Sequence, residues 1–146
     1  MIKQLKQWLS GNPGETAAEL SEEAAVAALL VEVMLADGSA SDAEQRRLQS
    51  LFRRLFRDEA QQLELWLEQG RARQQQAISL FEFTTHLRAL PATRREAILQ
   101  ALWHMALADG ELDQQEEGIV RQVAELLYIP HSRFIQLKHR AQKGAD

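Results

Sequence analysis

Apolar residues recur at three- and four-residue intervals along almost the whole chain, the spacing of amphipathic helices, and no stretch alternates long enough to read as a strand. Ile2 to Leu9 reads as a short helix with Leu5, Trp8 and Leu9 on one side, ended by Gly11-Asn12-Pro13-Gly14. Residues 1–14 are thus a leader helix and linker, and 15–146 a helical domain. The pattern then predicts a long helix from about Thr16 to Ala36, ended by Asp37-Gly38. Ser41 with Glu44 is a capping box that opens the next helix, to about Phe56. Asp58 is placed to cap a helix reaching Gln69 and closed by Gly70. Ser79 with Glu82, and Thr93 with Glu96, have the spacing of two more boxes, for helices to about Ala89 and Ala108. Asp113 with Glu116 opens a helix to about Leu127, and Pro130-His131-Ser132 opens the last, to about Gln142. The expected fold is all-α, a seven- or eight-helix bundle.

The pattern also repeats. Shifted by 72 residues, Leu35-Ala36-Asp37-Gly38 falls on Leu107-Ala108-Asp109-Gly110, and Ser41, Glu44, Leu48, Leu51 and Leu55 fall on Asp113, Glu116, Val120, Val123 and Leu127. Each half is an apolar helix, an Ala-Asp-Gly turn and a capped helix. The bundle is therefore expected to be built from two pseudo-symmetric helical hairpins.

The repeated acids lie on apolar stripes: Val26, Leu30, Val33 and Asp37; Glu44, Leu48, Leu51 and Leu55; and their equivalents ending at Asp109 and beginning at Glu116. Each Asp–Glu pair should sit at the inward ends of two packed helices, with the Asp opposing a helix dipole. Two compensations compete. In one, Asp37 and Asp109 accept N–H bonds from the following turn while Glu44 and Glu116 complete capping boxes. In the other, carboxylates from one or both turns hold a divalent cation. The second turn is richer in acids but is not an EF-hand: counted from Asp109, the sixth position is Gln114 and the twelfth Arg121.

Composition removes several classes of function. The formal charge of −4 gives no overall pull toward nucleic acid or anionic lipid. The absence of cysteine removes disulfides, thiolate nucleophiles and zinc–cysteine sites. The longest apolar run, Ala24 to Val31, is far short of the ~20 residues of a membrane span, and the start lacks the long apolar region of a signal peptide. A cytoplasmic protein is expected. No serine triad, phosphate loop or nucleophile elbow occurs, so no enzyme is expected. His86, His131 and His139 lack the i, i+4 partner of a zinc helix and read as surface histidines. Arg46, Arg47, Arg53, Arg54 and Arg57 form a basic run without the interleaved aromatics of a nucleic-acid surface, and read as a solvated face. Trp8, Trp66 and Trp103 read as packing residues, with Trp8 also a candidate partner contact.

These residues resemble the TerB-like family, named from tellurite-resistance operons. The resemblance rests on Met34-Leu35-Ala36-Asp37-Gly38 with Glu44, and on Ala106-Leu107-Ala108-Asp109-Gly110-Glu111-Leu112-Asp113 with Glu116-Glu117. It continues through Val120-Arg121 and Ala124-Glu125-Leu126-Leu127 and covers about Ala24 to Arg140. Leu102-Trp103 and Pro130-His131-Ser132 place it nearest an uncharacterised bacterial branch. The resemblance implies two pseudo-symmetric helical halves, an acidic cluster as a candidate divalent-metal site (Ca, Mg, Mn or Zn) and a link to tellurite resistance or stress response. Related domains also stand beside J-domains in membrane-anchored co-chaperones. The alternative role is therefore a metal-free interaction module, co-chaperone-like or an adaptor to a membrane-associated complex, in which the acids only cap. Tyr128 and His104 stand where relatives often carry Gly and an acid.

The candidate metal set is Asp37, Glu44, Asp109 and Glu116, extended by Glu32 and His104. Glu32 is the one charged side chain in the apolar stretch Ala24 to Ala36, and burying it is costly unless it is paired. The repeat sets it opposite His104. One expectation is that the two meet, directly or through a water or ion. The other is that Glu32 reaches Arg94 or Arg95, or extends to the surface.

Overall fold

A computed structural model describes residues 20–36, 40–57, 62–77, 79–108 and 112–144. The leader with Trp8, the cap position Asp58, and both Asp-Gly turns with Asp37 and Asp109 lie outside the described residues. The described residues form seven helices and no strand: α1 Glu22–Met34, α2 Asp42–Leu55, α3 Leu63–Gln76, α4 Phe81–Thr84, α5 Ala92–Ala106, α6 Gln114–Leu126 and α7 His131–Gln142. The all-α expectation holds.

Helix α1 begins later than the pattern predicts. Ser21 is extended, and its side chain accepts the Ala24 N–H at 3.1 Å, so Ser21 is the N-cap. From Ala24 to Val31, then at Val33 and Met34, every residue but Glu32 is buried. No face is left for water, so α2, α3, α4, α5 and α6 all pack against it. Helix α5 is the second central element, buried from Ile98 to Ala106 and packed against α1, α2, α6 and α7.

The repeat is present in the helix boundaries. Helices α1 and α5 end at Met34 and Ala106, while α2 and α6 begin at Asp42 and Gln114, in both cases 72 residues apart. The unit is larger than a hairpin, because α3 packs on α1 as α7 packs on α5. Trp103 of α5 is fully buried against Phe134 of α7, with ring centroids 5.0 Å apart. The two central helices meet at their first turns, where Glu22 and Arg94, themselves 72 residues apart, form an ion pair at 2.7 Å. Arg94 also donates to the Leu55 carbonyl at 3.0 Å and lies over the Phe56 ring, which ties the start of α5 to the end of α2.

Three boundary expectations are corrected. Gly70 does not close a helix; α3 runs through it to Gln76. A Cβ on Gly70 would lie 2.4 Å from Ala27 Cβ and 2.9 Å from the Ala27 carbonyl carbon, so glycine is required there by the approach of α3 to the α1 backbone. Thr93 lies inside α5, whose N-cap is Pro91 without a side-chain cap bond. Pro91 sets the extended entry, and the helix starts before Thr93 can cap it. At α4 only the Glu82 half of the expected box forms, Ser79 N–H to Glu82 at 3.2 Å, and the helix stops at Thr84 rather than Ala89.

Gly70→Ala is expected to destabilise the fold by about 1–3 kcal/mol, because its methyl meets backbone that cannot retreat. Gly118, exposed within α6 with nothing within 4 Å of a built Cβ, is the control. Gly118→Ala should stabilise by roughly 0.5–1 kcal/mol. Urea denaturation of both variants checks the pair.

Candidate functional site

The sequence places its chemistry where the central helices turn into the capped ones. At the first turn, Ser41 is extended and its hydroxyl accepts the Glu44 N–H at 3.1 Å, while the Glu44 carboxylate accepts the Ser41 N–H at 2.8 Å. At the second, Asp113 and Glu116 form the equivalent box, with the Asp113 N–H reaching Glu116 at 3.3 Å. Both glutamates are buried, Glu44 to 3% exposure and Glu116 to 2%. A surface cap needs no such burial. The apolar stripe running on from each glutamate, Leu48 and Leu51 in one half, Val120 and Val123 in the other, draws the carboxylate inward.

Capping uses one oxygen of Glu44. The other, Oε2, is buried and has no hydrogen-bond partner among the described residues. A buried carboxylate oxygen in that state is costly, and a cation or an additional donor would satisfy it. Asp37 and Asp109, the other acids of the expected set, lie outside the described residues. Among the described residues no group of three or more His, Asp or Glu side chains is arranged to hold a metal.

Glu32 and His104 do not form the expected pair. Half-buried Glu32 accepts a hydrogen bond from Gln74 Nε2 of α3 at 2.9 Å and borders a 260 Å³ cavity with Phe83 and Ile119. Its Arg alternatives are also spent elsewhere: Arg94 on Glu22, and Arg95 on the Leu90 and Leu127 carbonyls. His104 lies on a different cavity, of 390 Å³, between α2, α5 and α7, where its Nε2 is 3.2 Å from Gln100 Nε2. The repeat-equivalent pair that does meet, Glu22 with Arg94, lies in the first turns of the central helices. Toward their C-terminal ends, α3 lies beside Glu32, while α2 and α7 line the His104 cavity.

Gln100 was not among the sequence candidates. Its signal was available: it lies four residues before His104, and the two are the polar side chains within the buried stretch Ile98–Ala106. The arginines of α2 are exposed as expected, with Arg54 also lining the 390 Å³ cavity. His131 and His139 are exposed, whereas His86 is half-buried, and burial with the nearby Arg73 charge holds its pKa below the ordinary histidine value.

Tyr128 ends α6 in the left-handed region at φ 60°. The Ile129 N–H reaches the Ala124 carbonyl at 2.9 Å and the Tyr128 N–H the Glu125 carbonyl at 3.1 Å, a Schellman motif with tyrosine in the glycine position. The conformation costs about 1 kcal/mol for a side chain with a Cβ. The ring is 65% exposed, and its hydroxyl accepts from Arg88 at 3.1 Å.

Two central helices in repeat register, each followed along the chain by a helix capped by a buried glutamate, define an all-helical domain. The chain matches the family of the tellurite resistance protein TerB over residues 23–139, and it belongs to that family. No curated protein and no solved structure matches it.

Glu96, on the rim of the larger cavity, is held by Arg133 of α7 through two hydrogen bonds, at 2.7 and 3.2 Å. Those bonds, with the arginine charges around them, place its pKa below the ordinary carboxylate value. Its contribution to stability should be full above the unfolded carboxylate pKa and lost as pH falls through the depressed folded value. Carboxyl NMR titration should show the Glu96 midpoint rising in Arg133→Gln, and the acid-side fall in melting temperature should become shallower.

Proposed function

We propose that this TerB-family chain is a non-enzymatic accessory domain that holds a divalent cation at its Ala-Asp-Gly…Glu turns and serves in tellurite resistance or a wider stress response. The observation that carries the reading is Glu44 Oε2, buried and without a hydrogen-bond partner among the described residues at the inward end of a packed helix. Asp37 with Glu44, and Asp109 with Glu116, are the oxygen donors that would hold the ion. A carboxylate set suits a hard cation, Ca²⁺, Mg²⁺ or Mn²⁺, better than Zn²⁺. Bound there, the ion would neutralise acids that otherwise oppose a helix dipole and would fasten each turn to the core. Glu32 and His104, on separate cavities, are left out of this set.

A second reading is favoured by the cap at Ser41 and Glu44, whose two reciprocal hydrogen bonds give both residues a local role. In it the turns are structural and the domain is an interaction module, in the cytoplasm or against a membrane-associated protein complex. No described helix is long and apolar enough to cross a membrane.

Calorimetric titration with Ca²⁺, Mg²⁺, Mn²⁺ and Zn²⁺ separates the two. The cation reading expects binding by the wild type, a rise in melting temperature with added ion, and loss of both in Asp37→Asn and Glu44→Gln. Glutamine keeps a cap acceptor, so Glu44→Gln should leave the ion-free melting temperature within a degree or so of wild type. No heat at millimolar ion and no response to chelator would leave the interaction module as the reading.

A further inference from the structure

We propose that the cavity between α2, α5 and α7 binds a small amphipathic carboxylate bearing a hydroxyl group at the end remote from its charge. The cavity holds 390 Å³, in the range of pre-formed small-molecule sites. Its walls are apolar, with Leu51 and Leu55 from α2, Ala97 and Ala101 from α5, and Leu137 from α7.

Two polar features mark its ends. Inside, Gln100 is only 9% exposed; its Nε2 is 3.2 Å from His104 Nε2, and its Oε1 is buried with no hydrogen-bond partner among the described residues. A buried amide with one end spent and the other left over calls for a further partner. A hydroxyl both donates and accepts, so it satisfies the amide in either orientation of the side chain. Arg54, Arg94 and Arg140 line the rim with one acid, Glu96; Arg94 is paired with Glu22 and Glu96 with Arg133, and exposed Arg140 is the cation placed to meet a ligand. The mouth is therefore cationic and selects an anion. Arginine forks are suited to a carboxylate, and the apolar walls to a hydrocarbon or aromatic body between the two ends.

The apolar leader of this chain is the competing occupant, but its charge is wrong. Residues 1–14 carry Lys3 and Lys6 and no acid, and would bring further cations to an arginine rim.

The test uses the full chain with three probes: 3-(4-hydroxyphenyl)propionate, 3-phenylpropionate and 4-ethylphenol, titrated by calorimetry and amide NMR. The hydroxylated acid is expected to bind at α2, α5 and α7, and each comparator about fivefold or more weakly. Gln100→Leu should close the gap between the two acids. Arg140→Gln, on an exposed residue where folding is not at stake, should close the gap between the hydroxylated acid and the phenol. The proposal is overturned by absence of binding at about 10 mM. It is equally overturned by affinities unchanged in both variants, or by binding that appears only once residues 1–14 are removed, which would make the leader the occupant. No outcome depends on a metal ion, so this test and that of the cation reading fail separately.

Discussion

A helix without a solvent face must be covered from every direction, and α1 imposes that condition on the rest of the molecule. Its residues from Ala24 to Val31 are all buried, and small alanines at 24, 25, 27 and 28 let neighbouring backbones come close. Burial of this kind supplies the main driving force of folding, at roughly 25 cal/mol per Å² of apolar surface. It also dictates detail. Helix α3 can cover its side of α1 only where Gly70 meets Ala27, so a residue without a side chain decides how one helix packs. The single charged group between Ala24 and Met34, Glu32, is tolerated because it lies at an edge and is met by Gln74 of α3.

The same condition explains why the turn glutamates are buried. Once α1 and α5 occupy the centre, the helices that follow them must fold back with their apolar stripes inward, and Glu44 and Glu116 begin those stripes. The capping box serves the backbone, but burial asks more of Glu44 than one N–H bond provides. An acid chosen for local geometry thereby becomes a group with unused binding capacity.

The all-helical class, the two capped helices and the repeat were legible because each rests on local chemistry: 3.6-residue periodicity, and the serine or aspartate with a glutamate three residues on. What could not be read were features set by tertiary contact. Glycine at position 70 has the local signature of a helix end, and only the proximity of Ala27 distinguishes a close approach from a stop. Thr93 with Glu96 has the spacing of a capping box, yet Pro91 starts the helix earlier, and Glu96 is drawn instead to Arg133 on α7. The repeat also overreached at Glu32 and His104, since equal numbering from a turn says nothing about where two helices touch. The larger cavity was invisible for the same reason: its walls come from three helices, although the Gln100–His104 spacing in an apolar helix was present in the sequence.

The ion pair between Glu22 and Arg94 joins positions that the duplication makes equivalent. Residues that meet their own equivalents lie near the axis relating the halves. In a symmetric assembly of two identical halves, such a residue faces its own copy. Two copies of the first half would set Glu22 against Glu22, and two copies of the second would set Arg94 against Arg94. Like charges at that separation repel, whereas the two different halves attract. Opposite charges at this position favour pairing of the two different halves over pairing of like ones. Expressed as separate fragments, the halves are thus electrostatically biased to assemble with each other rather than with themselves.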